Sequence, residues 1–474
     1  MTQPISQKRD VPVAGEADVI VAGGGVAGAT AALTAAREGA RTVVVEKFGL
    51  LGGNMGPGMF SGGVVHLALK YPMAMTERLK GIPGEIINRC EGYAGGLLGH
   101  NYFKDSQAVV YVLFKMMEEA NVRLMLNAYA ADPIVEDGAV TGLVVETKSG
   151  PQAVRAKVVI DCTGDADVAF RAGCPTAGGE KYVHPGMYFA MGNVDTEKYK
   201  LWQDTATASD EDADWVAKIA TEAGGKVWAP KSFHALLRRA WSWGEYHFIR
   251  GIPGIGAVWP DHGIYTPIDG LVSMQLGVRG PNIQSGDAAM MTAIETACRT
   301  YIYETAMFFQ RHVPGFERSY LFTVSPYFHT RGGRSILGEY VMTEQDFEKG
   351  RKFNDVIFQN YAHERSKPVP GGCDFPYRQL VARGVKGLLA AGKSAILQPP
   401  PNRTRWKCLM MGQAAGAAAA LAARTGVSPD AIDVRELQRI LFEKYHAPLG
   451  DEARLKKLGL LPGGVPERKA RKRR

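Results

Sequence analysis

Residues 17–46 constrain this chain more than any other stretch of its sequence, ADVIVAGGGVAGATAALTAAREGARTVVVE. A short apolar run ends in three glycines spaced as G-x-G-x-x-G, namely Gly23, Gly25 and Gly28. Where a strand turns into a helix, the first glycine permits a tight turn, the second lets the backbone approach a pyrophosphate, and the third allows close packing. The stretch therefore predicts a strand, a glycine turn and a helix that ends near Glu38.

An acidic residue closes the strand that follows this helix. Glu46 comes after residues 41–45, which are predicted to form the second parallel strand, and lies 18 residues beyond Gly28. A carboxylate at this place accepts both hydroxyls of an adenosine ribose and repels a 2′-phosphate, so FAD or NAD is favoured over NADP. A glycine-rich turn without a ligand is the alternative. The glycines, the flanking strands and the acid together favour a nucleotide site.

Length and charge indicate an ordinary globular protein with a basic tail. The 474 residues are enough for two or three domains, with 46% hydrophobic and 22% charged residues. The net charge is +8, and the last ten residues, 465–474, contain six cationic side chains and one carboxylate. They include no aromatic residue, so we expect a disordered tail rather than nucleic-acid binding.

Cysteine spacing and hydropathy bear on the compartment. The six cysteines show no C-x-x-C spacing, which argues against a metal centre or a disulfide framework. Residues 1–16 lack the apolar run of a signal peptide, and the apolar stretch 414–423 is too short to span a bilayer. The sequence therefore predicts a cytoplasmic protein with no metal and no membrane segment.

The glycine-rich loop 47–63 carries the first resemblance to a known family. Gly52, Gly53 and Asn54 resemble the E-x-x-x-x-x-G-G-N loop of FAD-dependent oxidoreductases of the glutathione-reductase structural type. The chain is distantly similar to fumarate reductase and succinate dehydrogenase flavoproteins as well. The resemblance implies that this loop covers the flavin pyrophosphate and ribityl chain. Related flavoproteins carry a flavin-linked histidine just beyond it, but Met55, Gly56 and Pro57 stand here, so non-covalent FAD is expected.

The next segment predicts a helix over 106–119, a strand over 122–126 and a β-meander that ends near residue 160. The meander runs into VVIDCTGDAD, residues 158–167, which resembles the A-T-G-D strand end of the same family. By that resemblance Thr163, Gly164 and Asp165 return the chain to the dinucleotide.

Residues 313–347 carry the second specific resemblance. They are similar to the P-G-F-E … R-E-x-R-R-I-x-G-E-Y-x-L-T segment of the broad bacterial FAD-dependent oxidoreductase family, with Gly332 and Ser335 in place of its glutamate and last arginine. A guanidinium is a planar bidentate donor, so Arg331 and Arg334 are candidates for binding a substrate carboxylate or carbonyl. An ion pair, for example with Glu339, is the alternative role.

Three further residues are candidates for proton transfer or for the wall of the active site. His329 lies two residues before Arg331 and could donate a proton, or could be a structural histidine beside an aromatic residue. His262 and Tyr265 follow a dense aromatic cluster over 241–248, which could wall an active site or fill a core.

The last third returns to the dinucleotide domain. An apolar strand over 385–392 ends at Gly392, and a second helix is predicted to start at Met411. The resemblance implies that this helix points its N-terminus at the flavin pyrimidine edge, shortly after Arg403. The residues predicted to bind cofactor are Gly23, Gly25, Gly28, Glu46, Lys47, Gly52, Gly53, Asn54, Thr163, Gly164, Asp165, Gly392, Arg403, Gly412, Gln413 and Ala414.

We therefore expect an α/β fold in which a Rossmann-like FAD-binding domain, a parallel sheet with a β-meander, is split by an α+β substrate domain. The expected division is 17–170 and 371–430 for the FAD-binding domain, 171–370 for the substrate domain, 431–464 for C-terminal helices and 465–474 for the tail.

The expected function is that of an FAD-dependent oxidoreductase, which transfers a hydride between flavin N5 and a small polar organic substrate. Two alternatives stay open, a flavin-dependent monooxygenase and a non-enzymatic flavin-fold binding protein. The sequence does not identify the electron donor or acceptor, and a homo-oligomer is possible.

Overall fold

The computed structural model describes residues 10–59, 79–98, 106–178, 185–223, 229–362, 368–396 and 404–463. The strands are β1 (Val13–Ala22), β2 (Thr42–Glu46), β3 (Arg123–Leu126), β4 (Tyr129–Glu136), β5 (Ala139–Thr147), β6 (Gly150–Asp161), β7 (Thr176–Gly178), β8 (Gly186–Gly192), β9 (Arg250–Ile252), β10 (Gly256–Ile268), β11 (Leu271–Arg279), β12 (Tyr320–Val324), β13 (Arg334–Ile336), β14 (Val356–Ala362), β15 (Pro368–Pro376) and β16 (Leu388–Ala390). The α-helices are α1 (Val26–Arg37), α2 (Gly81–Leu98), α3 (Ser106–Glu119), α4 (Asp167–Arg171), α5 (Thr196–Thr205), α6 (Asp210–Glu222), α7 (Lys231–Ser242), α8 (Ala288–His312), α9 (Glu344–Glu348), α10 (Arg405–Thr425), α11 (Val434–Arg439) and α12 (Glu452–Lys457).

The larger sheet has the strand order β3-β2-β1-β6-β5-β4, with β16 beside the end of β6. β1 runs parallel to β2 and to β6, β2 runs parallel to β3, and β16 runs parallel to β6. β4, β5 and β6 pair antiparallel as a meander. The expected α/β fold with a parallel sheet and a β-meander is confirmed.

Two helices rich in small residues pack against each other beside this sheet. α1 ends after Arg37, where Gly39 adopts a φ of +89°, as the sequence predicts. α10 is buried along almost its whole length, from 405 to 423. A Cβ at Gly412 would lie 2.2 Å from the carbonyl oxygen of Ala27, and one at Gly416 would lie 2.2 Å from that of Ala31. Glycine at these positions therefore sets the close approach of α10 to α1.

A second, antiparallel sheet follows the order β12-β8-β11-β10-β9. β8 is buried throughout, and β11 is buried apart from its two end residues. Helix α8 contributes to a separate apolar core together with this sheet. Trp259, Tyr301 and Phe316 are among its fully buried side chains.

The carboxyl ends of four parallel strands meet at one edge of the larger sheet, because parallel strands share a direction. β1 ends before the glycine turn, β2 ends at Glu46, β6 ends at Asp161 and β16 ends just before Gly392. In open α/β sheets, ligands bind in the crevice outside these ends. The fold thus brings four predicted cofactor segments to one place.

Candidate nucleotide and active site

The glycine turn has the geometry expected of Gly23 and Gly28, and it leaves open space at Gly25. Gly23 adopts a φ of +98°, which a side chain would strain. A Cβ at Gly28 would lie 1.7 Å from the carbonyl oxygen of Gly23, so helix and strand require glycine there. At Gly25, no atom of the described residues lies within 4 Å of the position that a Cβ would take. Gly25 therefore leaves open the space that a ligand would fill at the start of α1.

The start of α1 offers backbone donors to an anion. Gly25 is the N-cap residue, and it has no side chain that could cap the first turn of the helix. The first N–H groups of a helix lack partners within it, and the helix dipole favours negative charge at that end. A pyrophosphate therefore fits this helix N-terminus.

Glu46 is tied to the glycine turn. One carboxylate oxygen, Oε2, accepts the backbone N–H of Gly24 at 2.7 Å, and the other, Oε1, accepts that of Phe48 at 2.9 Å. Burial raises the pKa of Glu46 above its usual value, and the two backbone donors act in the opposite direction. Each oxygen retains a second lone pair, so the carboxylate can also accept ribose hydroxyls.

A cavity of about 530 Å³ lies against these groups. That volume is within the range of small-molecule and cofactor sites, roughly 300–1,000 Å³. Its walls come from the glycine turn, the segment after β2, the end of β6, the loop before β13, the turn after β16 and the start of α10. The predicted cofactor residues in its wall are Gly23, Gly25, Glu46, Lys47, Gly53, Asn54, Thr163, Gly164, Asp165 and Gly392.

The GGN loop stands against the glycine turn. Gly52 adopts a φ of +91°, and its N–H donates to the carbonyl oxygen of Gly24 at 2.9 Å. Gly53 and Asn54 begin a 3-10 turn that lines the cavity. Gly52 thus positions the loop, while the next two residues face the ligand space.

A buried carboxylate fixes the end of β6. Asp161 is fully buried and accepts the N–H and the hydroxyl of Thr163 at 3.0 and 2.7 Å, and the N–H of Ala169 at 2.9 Å. Burial raises the pKa of Asp161. These bonds hold the turn that presents Thr163, Gly164 and Asp165 to the cavity.

Lys393, which the sequence analysis did not select, joins two walls of the cavity. Its Nζ lies 3.0 Å from Asp165 Oδ1 and donates to the Thr330 hydroxyl at 2.6 Å and to the Gly332 carbonyl at 3.3 Å. A Cβ at Gly333 would lie 1.9 Å from Asp165 Oδ1, so glycine is required beside this pair. The sequence signal that could have identified Lys393 is its position directly after Gly392, a predicted cofactor residue.

The segment 327–331 forms another part of the cavity wall. Tyr327 stacks on Phe48 with ring centroids 4.4 Å apart. His329 is 5% exposed, stacks on Tyr188 at 5.5 Å, and lines the cavity together with Arg331. Two predicted catalytic residues are therefore brought to the same cavity as the predicted cofactor residues.

Arg334 forms an ion pair, which is the alternative role that the sequence left open. Its Nε donates to the carbonyl oxygen of Asp165 at 2.9 Å, its Nη2 donates to Asp167 Oδ1 at 2.6 Å, and its guanidinium lies over the Phe170 ring at 3.9 Å. Arg334 is absent from the described cavity wall, and its ion-pair partner is Asp167 instead of Glu339. β13 turns this side chain toward α4, so it supports the site from outside.

The helix predicted to start at Met411 starts earlier, at Arg405. Gly412, Gln413 and Ala414 consequently lie inside α10 and are buried, away from the described cavity wall. Gly412 packs on α1, and Gln413 Oε1 accepts the N–H of Ile82 at 2.9 Å. The small residues Gly412 and Ala414 suit close helix packing, and a flavin contact of these three residues stays a prediction.

The start of α10 faces the cavity through other residues. Thr404, Arg405 and Cys408 line it. Burial lowers the pKa of Arg405 to about 10. A threonine before a helical run is a start signal that the sequence contained.

Several predicted features lie outside the described residues. They are Arg403, part of the 47–63 loop, the tail 465–474 and the side chains of His262 and Tyr265. The backbone of His262 and Tyr265 belongs to β10. Within the ranges that the structure describes, no helix combines the length and apolar character needed to cross a membrane.

The structure combines an α/β fold with a cavity at the carboxyl ends of its parallel strands, and comparison with known proteins identifies the family. The chain belongs to the FAD dependent oxidoreductase family, whose model matches residues 18–441. It is accordingly an oxidoreductase with FAD as its cofactor.

The chain is similar to two kinds of curated protein over part of its length. It is 33% identical over 170 residues to a digeranylgeranylglycerophospholipid reductase from Methanoculleus marisnigri, a match that covers 34% of this chain and 42% of that reductase. It is 26% identical over 203 residues to a thiamine thiazole synthase from Methanothermobacter thermautotrophicus, covering 41% of this chain and 71% of that protein. The chain thus spans less than half of the length of the reductase.

Among solved structures, the chain resembles a geranylgeranyl bacteriochlorophyll reductase-like protein from Thermoplasma acidophilum. The identity is 16%, the TM-score is 0.44, and the match covers 94% of this chain and 88% of that chain. None of these three relatives is a glutathione reductase or a fumarate reductase.

Proposed function

We propose that this protein transfers a hydride between flavin N5 and a small polar organic substrate held by the His329–Arg331 segment. The observation that carries the proposal is the shared cavity, in which predicted cofactor residues face His329 and Arg331. The reductase among the relatives supports reductive chemistry, but that match covers only 42% of the reductase and does not carry its substrate over.

On the cofactor side, the residues present fit FAD. The glycine turn and the N-terminus of α1 would hold the pyrophosphate, and Glu46 would hold the adenosine ribose. The N-terminus of α10 would stabilise negative charge on the pyrimidine edge. Bound FAD supplies the hydride acceptor or donor. We propose that it is held without a covalent bond.

On the substrate side, Arg331 would bind a carboxylate or carbonyl through two N–H groups. His329 would move a proton at the substrate, because an imidazole exchanges protons near neutral pH. Lys393 would keep this segment in place through Thr330 and Gly332. Tyr188 and Tyr327 would exclude water from the reacting groups.

We further propose that the FAD-binding domain is built from 17–170 and 371–430, with the substrate domain, 171–370, inserted between them. β16 and α10 from the later segment pair with β6 and pack on α1 from the earlier one. The apolar core around β8 and β11 is a cluster separate from that of the larger sheet.

The test is anaerobic reduction of the purified flavoprotein by small 2-hydroxy acids and amino acids, and reoxidation of the reduced protein by α,β-unsaturated acids. Arg331→Ala should lower the rate with an active compound and leave the flavin content unchanged. Arg155→Ala is the control. Arg155 forms an exposed ion pair with Glu136 on the meander, and it lies on β6 away from the strand end that meets the cavity.

Full activity of Arg331→Ala would remove Arg331 from the site. NAD(P)H consumption with oxygen inserted into product would favour the monooxygenase alternative. A flavin that no donor reduces would favour the binding-protein alternative.

A further inference from the structure

A buried glutamine stands behind the proposed proton donor. Gln275 lies near the middle of β11 and is 0% exposed. Its amide Nε2 lies 3.3 Å from the imidazole Nε2 of His329. Burying a primary amide in a sheet costs free energy unless the amide makes hydrogen bonds. The contact with His329 is therefore expected to be a hydrogen bond that orients the ring.

The sheet register explains why Gln275 meets this histidine. Gln275 lies directly opposite Tyr188 on the antiparallel strand β8, so the two side chains share one face of the sheet. Tyr188 stacks on the His329 ring with centroids 5.5 Å apart. Tyr188 and His329 line the cavity, whereas Gln275 is absent from its described wall. Gln275 therefore acts on the site through the histidine.

The backbone of His329 is fixed as well. Its N–H and carbonyl exchange two hydrogen bonds with Gly186, each 2.8 Å long. A Cβ at Gly186 would lie 2.8 Å from Gln275 Nε2 and 3.1 Å from His329 Cε1. The missing side chain at Gly186 is what lets the amide and the imidazole approach each other.

The chemistry of the amide selects a tautomer. In the orientation that the structure gives to Gln275, the amide N–H groups face the ring; an N–H can only donate, so the imidazole Nε2 accepts and the single proton of a neutral imidazole is then on Nδ1. We propose that Gln275 is a positioning residue that holds His329 as a neutral imidazole with its proton on Nδ1. This inference rests on the proposed function, in which His329 moves a proton at the substrate.

The charged groups of the cavity wall are mostly cations. The cations Arg331, Lys393 and Arg405 line the same cavity, and the carboxylate of Asp165 pairs with Lys393. An imidazolium would direct an Nε2–H at the donating amide of Gln275, so the pairing itself disfavours imidazolium. A carboxylate at position 275 would favour the imidazolium form of His329, whereas an amide orients the ring without adding charge.

Tyr188 is a further titratable group beside the pair, and the backbone of His262 lies opposite Gln275 in the sheet. Tyr188 contributes its ring from β8. His262 occupies the β10 position opposite Gln275, and its side chain lies outside the described residues.

The test is the ¹⁵N spectrum of histidine-labelled holoenzyme, which reports the protonation of each imidazole nitrogen without any substrate. The chain has 10 histidines, so His329→Gln assigns the signal by its loss. At neutral pH, wild-type His329 should carry one proton, on Nδ1. Gln275→Leu should give a mixture of tautomers, and Gln275→Glu should raise the titration midpoint by about one unit or more.

Gln310→Leu is the matched control, because that amide donates to the Ser319 carbonyl at 2.8 Å on another element, and the His329 signal should not change. Flavin content and the unfolding midpoint show whether each variant folds. Leucine matches glutamine in size and leaves no unpaired amide. If Gln275→Leu does not fold, Gln275→Glu provides an independent test.

A proton on Nε2, a doubly protonated ring at neutral pH, or a Gln275→Leu spectrum identical to wild type would overturn the inference. Full activity of His329→Gln would instead overturn the proposed role of His329 and leave the pairing intact. The two failures are therefore distinguishable.

Discussion

The Glu46 carboxylate accepts the backbone N–H of Gly24 at 2.7 Å, which ties the end of β2 to the glycine turn at the end of β1. Strand β2 runs parallel to β1 with Val21 opposite Val44, so the two strand ends lie side by side. One carboxylate thus shapes the turn and faces the cavity that would hold the adenosine ribose.

Glu46→Ala should weaken FAD binding by about 10- to 100-fold, because a hydrogen bond to a charged group contributes roughly 1.5–3 kcal/mol. The measurement is FAD titration of the flavin-free protein, followed by fluorescence. Glu136→Ala is the control, since Glu136 forms an exposed ion pair with Arg155. Equal affinities of Glu46→Ala and wild type would contradict a ribose contact.

Glu46→Gln should change how the stability of the flavin-free protein depends on pH. Burial raises the pKa of Glu46 in the folded state, so the folded protein binds more protons there than the unfolded chain. Wild-type stability then falls as pH rises from the unfolded pKa through the raised folded pKa. Relative to wild type, the variant should gain stability across that window. Urea unfolding at acid and neutral pH measures the difference, and a pH-independent difference would argue against it.

Gly25→Ala and Gly28→Ala should separate ligand binding from folding. Gly25 has a φ of −72°, which alanine tolerates, and open space at its Cβ position, so the variant should fold normally and bind FAD more weakly. Gly28→Ala places a Cβ 1.7 Å from the Gly23 oxygen and should lower the unfolding midpoint even without flavin. Thermal unfolding and FAD titration of both variants decide this, and reversed effects would refute the assignment.

Arg334→Ala should reduce stability rather than catalysis. It removes charged hydrogen bonds to Asp165 and Asp167 and the stacking on Phe170, a loss of about 2 kcal/mol. The urea midpoint should fall, and the rate per folded, flavin-loaded molecule should stay within about threefold of wild type. A large loss of turnover at normal stability would return Arg334 to the substrate site.

The sequence was most informative where the structure depends on neighbouring residues. The glycine spacing, the helix end at Gly39 and the acid at the end of β2 all follow from contacts within about thirty residues. The roles of Gly23 and Gly28 could therefore be predicted one by one. The prediction for Gly25 depends on a ligand and stays to be measured.

The rest of the site depends on contacts between distant segments. Lys393 and Asp165 are 228 residues apart, and Gln275 and His329 are 54 apart, so no local pattern signals either pair. The sequence did not distinguish a substrate-binding role of Arg334 from an ion pair, because the ion pair depends on where the fold places α4 and its Asp167. The start of α10 was misplaced because glycine and alanine suit both a ligand-facing helix end and close helix packing.

The visible absorption spectrum of the purified protein, before and after acid precipitation, tests the central claim most directly. A protein that holds FAD without a covalent bond should be yellow, and the colour should leave with the supernatant as one FAD per chain. A colourless protein that takes up no added FAD would contradict the account, and colour retained in the pellet would contradict non-covalent binding.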